Sequence, residues 1–95
     1  MFPKKKRIVN KELLKEYHQK KCIVCGRFPA EPHHVTTVGA GGDDVETNLA
    51  ALCRKHHTMI HSLGNKSFGW KYPKFKEWLV RMRRFDILEA YEYES

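Results

Sequence analysis

The spacing of apolar positions changes several times along this chain, and each change marks an element. Leu13, Leu14 and Tyr17 share one face of a short helix that Asn10 can cap, running to about Gln19. Cys22-Ile23-Val24-Cys25-Gly26 then reads as a tight knuckle with Gly26 in the turn. Pro29 and Pro32 keep the next stretch extended up to His33. His34-Val35-Thr36-Thr37-Val38 is β-branched enough to be a strand, and Gly39 to Asp44 is a loop by composition. Asn48-Leu49-Ala50-Ala51-Leu52 reads as the return strand. A helix from about Arg54 to Leu63 follows, stopped by Gly64-Asn65. After an aromatic loop, Pro73 suits the first turn of a longer helix, in which Phe75, Trp78, Leu79 and Met82 recur at i, i+3, i+4, i+7. Asp86, with Glu89 three residues later, suits the start of one more short helix. The pattern predicts an α+β fold: strand, loop, strand, helix, with helices at both ends and no internal repeat.

A length of 95 residues makes this one domain, residues 1–95, near the lower limit of what a hydrophobic core holds together unaided. Within it, 1–9 reads as a basic, flexible tail, 22–63 as the central unit and 73–92 as a C-terminal helical segment. No apolar run approaches the ~20 residues that span a bilayer, and the basic N-terminus lacks the apolar stretch of a secretory signal. Three cysteines, two of them in C-x2-C, point to metal in a reducing compartment, hence the cytoplasm, over a disulfide framework.

Charge sharpens the picture. The net charge is +7, and residues 1–27 hold all of the excess, with nine lysines and arginines against Glu12 and Glu16. A polyanion is the natural partner of such a segment, and a solvated tail is the plainer alternative for the first seven residues. Pro3-Lys4-Lys5-Lys6-Arg7 also has the look of a nuclear-import signal, a pattern common by chance.

The cysteines and histidines carry the chemistry. Zinc takes four thiolate or imidazole ligands in a tetrahedron, and C-x2-C supplies two on one side. Cys53-x2-His56 supplies the other two at the same spacing, so Cys22, Cys25, Cys53 and His56 form a closed structural zinc site. A redox C-x-x-C would need a βαβ context that is not visible here. Of the remaining histidines, His18 is lone and lies in a basic helix, as a surface residue would. His57 and His61 are four apart, so both rings project from one helix face. With His33-His34 entering from a facing strand, three imidazoles can converge on an open site. Neighbours on a strand point to opposite sides, so one of His33 and His34 ligates and the other is free to take a proton.

At these residues the chain resembles the HNH endonucleases. His33-His34-Val35, the Gly41-Gly42-Asp43-Asp44 loop, Asn48-Leu49 and Cys53-Arg54-Lys55-His56-His57 carry the resemblance, which covers about residues 22–61. It implies the ββα-metal fold, a β-hairpin and a helix around one divalent ion. His33-His34 and His57-x3-His61 look like the colicin-type DNases, whereas the zinc knuckles look more like small phage-encoded nucleases. By this resemblance His34 is the general base, Asn48 ties the hairpin together and orients that base, and His33, His57 and His61 bind the working ion. The chain departs from the family pattern at His33, often a carboxylate, and at His56, which replaces a fourth cysteine.

The resemblance implies cleavage of DNA to a 5′-phosphate and a 3′-hydroxyl, in a bacterial or phage-infected cell. No second DNA-reading unit is visible, so low sequence specificity is expected. The ion left open is Mg2+, Mn2+, Zn2+, Ni2+ or Co2+; imidazole ligands suit the later transition metals, and magnesium prefers oxygen. Lys4, Lys5, Lys6, Arg7, Arg54, Lys55, Lys71 and Lys74 are candidate DNA contacts, with Lys76, Arg81, Arg83 and Arg84 beside them. Phe68 and Trp70 are expected in the core. A zinc-stapled DNA-binding module without catalysis is the rival reading, and monomer and homodimer both remain open.

Overall fold

The computed structural model of the chain describes residues 6–92, with side chains to residue 89. Asn10 caps helix α1 (Lys11–Tyr17) as expected, its side chain accepting from the Leu13 amide. The chain then passes through the cysteine knuckle to strand β1 (Glu31–His34) and, after two single-turn 3-10 helices (Val38–Ala40 and Glu46–Asn48), to strand β2 (Leu49–Leu52). Helices α2 (Arg54–Lys71), α3 (Pro73–Arg81) and α4 (Phe85–Glu92) complete it. The two strands pair antiparallel, with His33 opposite Ala50 and His34 opposite Leu49.

All four β2 residues are buried because β2 separates two apolar clusters. Period-2 alternation sends Ala50 and Leu52 to the main core, with Ile60, Phe68, Phe75, Trp78 and Leu79, and turns Leu49 and Ala51 toward Tyr17 and Ala30. The α+β class and the strand–loop–strand–helix order are those the sequence predicts.

Three placements differ from the sequence expectation. The first strand lies at Glu31–His34 rather than His34–Val38. Beyond Val35 the Asn48 side chain takes over the ladder, accepting from Thr36 N at 2.8 Å and donating to Thr36 O at 3.1 Å. Next, the aromatic stretch after Gly64 is helical rather than a loop. Gly64 (φ 85°, ψ 162°) only kinks α2, and the helix resumes to Lys71. That places Phe68 fully in the core, but Trp70, two residues on and so on the far side of the helix, is 56% exposed. Finally, the basic N-terminal stretch is bound from Arg7 onward. Asp44 N donates to Ile8 O at 2.8 Å and Ile8 N to Asp43 Oδ1 at 2.7 Å, which straps residues 7–10 to the loop ahead of β2.

Candidate active site and metal centres

The knuckle is closed by backbone bonds, Gly26 N to Cys22 O and Cys22 N to Arg27 O, both 2.9 Å. Gly26 takes φ +74°, which a side chain would disfavour. Ile23 N donates to Ala51 O at 2.9 Å and pins the knuckle to β2. Cys53 follows β2 as the cap of α2, and His56 lies in the first helical turn. Cys53 Sγ is 3.2 Å and Cys22 Sγ 3.7 Å from His56 Nδ1, with Cys25 Sγ 3.7 Å from Cys53 Sγ. The four ligand atoms lie within 4.8 Å of one another and can hold a metal ion. Cys22, Cys53 and His56 are buried, and Tyr72 packs edge-on against the His56 ring at 4.8 Å. Burial, then the neighbouring Lys55 and Arg27 charges, hold the His56 pKa below the usual imidazole value.

The second cluster is His33, His57 and His61, whose ligand atoms also lie within 4.8 Å of one another. His57 and His61 stack one turn apart on α2, with their Nε2 atoms 3.1 Å apart. His33 reaches them from β1, its ring 5.3 Å from His57 and 5.2 Å from His61. It is buried, and neither of its ring nitrogens makes a hydrogen bond. Burial first, then the adjacent His57, depress its pKa to about 4, against a smaller opposing effect of the nearby Asn65 amide, which is too poorly placed for a hydrogen bond to the ring. A neutral, buried imidazole has a lone pair that can be given to a metal ion.

Sequence reasoning missed Glu31. Its Oε1 lies 2.8 Å from His57 Nδ1 and its Oε2 3.0 Å from Arg54 Nη2. The hydrogen bond with His57 holds the Glu31 pKa below the carboxylate norm; partial burial opposes it and Arg54 adds to it. With Nδ1 of His57 engaged, Nε2 is the atom left to ligate. The available signal was position: Glu31 stands two residues before His33, hence on the same strand face.

His34 lies beside this cluster. With Pro32, Thr37, Val38, His57 and His61 it lines a cleft of about 330 Å³. Its Nε2 is 2.7 Å from Oδ1 of Asp44, a buried carboxylate that the sequence reading left in the loop without a role. Burial would raise the Asp44 pKa, but hydrogen bonds from His34, the Asn10 amide and Arg7 outweigh it and bring the value to about 2.

Asn48 is buried, and its amide ties the hairpin to the loop, donating to Asp43 O at 3.0 Å besides its two bonds to Thr36. The direct partner of His34 is Asp44, not Asn48. Gly42 admits no side chain, since a Cβ would sit 1.8 Å from Thr36 O and 2.9 Å from Asn48 Nδ2.

Several candidate DNA contacts are committed within the protein. Arg7 Nη1 is 3.0 Å from Asp44 Oδ1 and 3.0 Å from Gly42 O. Arg84 donates to Asn48 Oδ1, Thr47 O and Thr36 Oγ1 and pairs with Asp86, bracing the loop from the C-terminal side. Arg54 and Lys55 project exposed from the first turn of α2, beside His57; Lys6, Lys71 and Lys74 are exposed too. Lys71 and Lys74 stand at the α2–α3 junction, apart in sequence from the histidine cluster. Lys4 and Lys5 lie outside the described residues. His18 is exposed, as expected. Among the described residues no helix is long and apolar enough to cross a membrane.

Comparison with known proteins agrees with this geometry. Residues 6–88 match a family model described as "Putative HNHc nuclease". The chain is also similar to "Uncharacterized protein YdfU" of Escherichia coli (strain K12), at 32% identity over 83 residues, covering 84% of this chain and 24% of that protein. It thus spans about a quarter of the length of that curated relative. No solved structure matches it significantly. With a family match over nearly its whole length, and a β-hairpin and helix gathering His33, His57 and His61 beside His34, the chain belongs to the HNH nuclease family.

Proposed function

We propose that this protein is a metal-dependent endonuclease that hydrolyses DNA phosphodiester bonds with low sequence specificity. The observation that carries the reading is the convergence of His33, His57 and His61 on one point beside a fourth imidazole, His34, which shares a cleft with His57 and His61.

Both clusters fit ions. Zinc–sulfur bonds of about 2.3 Å put the sulfurs of a tetrahedron roughly 3.8 Å apart. The 3.7 Å between Cys25 Sγ and Cys53 Sγ is in keeping with that. We assign structural zinc to Cys22, Cys25, Cys53 and His56, four ligands that would fill its tetrahedral shell, and a working divalent ion to the three histidines, which would leave positions open. Such an ion, when bound, supplies positive charge to a scissile phosphate and its departing oxygen.

The residues of the chain do the rest. Glu31 fixes the ring of His57, and burial keeps His33 neutral and able to ligate. His34 takes a proton from the attacking water, the oxygen bonds to phosphorus, and the bond to the 3′ oxygen breaks, that oxygen taking a proton from solvent to leave as the 3′-hydroxyl. Asn48 holds the hairpin against the loop that lies over His34. Arg54 and Lys55, exposed beside His57, are placed to meet the DNA backbone.

Cleavage of supercoiled plasmid with a panel of Mg2+, Mn2+, Ni2+, Co2+ and Zn2+ tests this. Wild-type protein is expected to nick, and His34→Ala to lose about 10²- to 10⁴-fold in rate while keeping its fold, its metal and its DNA affinity. Binding without cleavage under every ion would instead establish the zinc-stapled binding module. Unchanged cleavage by His34→Ala would overturn the assigned base.

A further inference from the structure

A base must present a lone pair, and the hydrogen bonds around His34 decide which nitrogen has one. This inference rests on the nuclease reading. Asp44 is buried and accepts three donors: His34 Nε2 at 2.7 Å and Arg7 Nη1 at 3.0 Å on Oδ1, and the Asn10 amide at 2.8 Å on Oδ2. Arg7 and the amide can only donate, and the Arg7 charge 3.0 Å from Oδ1 favours the carboxylate over the carboxylic acid. A ring nitrogen 2.7 Å from a carboxylate oxygen must then carry the proton, because two facing lone pairs would repel.

We propose that Asp44, held by Arg7 and the Asn10 amide, is the positioning residue that fixes His34 with its proton on Nε2 and its lone pair on Nδ1. During hydrolysis the proton of the attacking water passes to Nδ1 and the ring becomes an imidazolium. Asp44 stays ionised throughout and stabilises that charge. The basic N-terminal strap, read in the sequence as a DNA-binding tail, thereby becomes part of the catalytic support. Arg7 reaches Asp44 from outside the hairpin and bridges to Gly42 O, so it clamps the loop and the carboxylate together.

Asp44→Asn is the informative variant. The Asn10 amide is fixed by the backbone, whereas Arg7, a quarter exposed, keeps its bond to Gly42 O if it loses Asp44. The new amide therefore keeps its oxygen on Asn10 and turns its nitrogen toward His34. A donor facing Nε2 moves the ring proton to Nδ1 and removes the lone pair where the water needs it.

Long-range ¹H–¹⁵N NMR of the zinc-loaded 95-residue chain reads the tautomer directly, and plasmid cleavage reads the consequence. Wild-type His34 is expected as the Nε2–H tautomer. Asp44→Asn is expected as the Nδ1–H tautomer, with kcat down about 10²- to 10⁴-fold and KM for DNA unchanged. Cleavage at the wild-type rate by Asp44→Asn, or lost activity with the Nε2–H tautomer retained, overturns the proposal. If the variant does not fold, the wild-type spectrum decides, and an Nδ1–H tautomer there overturns it. Wild-type protein that fails to cleave under every ion of the panel refutes the nuclease reading instead, and the tautomer still reports whether Asp44 holds His34.

Discussion

The two ligand clusters meet at one peptide bond, between His56 and His57, yet they are built on opposite plans. His56 points inward against Phe68 and Tyr72 and closes a set in which three of four members are buried. His57, about 100° further round the same helix, points to the other side, toward His33, His61 and a cleft. The first cluster joins the knuckle, β2 and α2. The second joins β1 to α2, and Glu31 and Asp44 hold the imidazoles from outside the cluster, Glu31 on His57 and Asp44 on His34. On the proposed reading, a small domain would give one ion to its fold and keep another for chemistry, with one helix serving both.

The largest effect expected from this comparison is on folding. Cys53→Ser breaks the closed set at the residue joining β2 to α2. In a 95-residue chain an ion bound there would contribute several kcal/mol to folding. The variant should lose cooperative thermal unfolding in circular dichroism, whereas His57→Ala should melt near the wild type and fail only in cleavage. Similar melting of the two variants would dissolve the distinction between the clusters.

Much of this division was legible in the sequence, because spacing carries it. C-x2-C, C-x2-H and H-x3-H are local patterns, and helical geometry converts them into faces. Asn10, Pro73 and the apolar heptad from Phe75 likewise act locally, and their helices stand where they were expected. Long-range polar partners were not legible. Glu31 and Asp44 acquire their roles from a strand register and from a strap 34 to 37 residues away, which no local pattern encodes. Arg7 and Arg84 read as generic basic residues until buried acceptors claim them. The first strand was misplaced for a related reason: Val35 to Val38 have strand propensity, but the Asn48 side chain takes the place of a backbone partner there.

Acid offers the next sharpest contrast. His33 has a pKa of about 4 in the folded protein against an ordinary 6.5, so between those values the unfolded chain binds a proton that the folded one refuses. Stability from this residue is therefore complete above about pH 6.5 and falls as the pH drops toward 4, by up to about 3 kcal/mol. The measurement is urea unfolding at several pH values on protein holding one equivalent of zinc, with the histidine cluster empty. His33→Leu, which cannot take the proton, should flatten the slope over that window. An unchanged slope would mean that His33 titrates normally and is not the buried, neutral ligand described above.

The smallest effect isolates the layer behind the ligands. Glu31 touches no atom that would meet an ion; it acts by holding Nδ1 of His57 at 2.8 Å so that Nε2 faces His33 and His61. Glu31→Gln keeps the size of the side chain but replaces a charged acceptor with a neutral amide, and it frees Arg54, the other group on that carboxylate. Loss of such a partner costs roughly 10- to 100-fold in metal affinity, or about 1.4 to 2.8 kcal/mol. Calorimetric titration of Mn2+ or Zn2+ into protein whose cysteine site is already filled should show that loss at the histidine cluster, with the melting temperature of the metal-free cluster unchanged. The pairing of outcomes matters more than either alone. Weakened binding with an intact fold places Glu31 with the open cluster, while a drop in melting temperature without weaker binding would make Glu31–Arg54 a strut of the hairpin and leave His57 to find its own orientation.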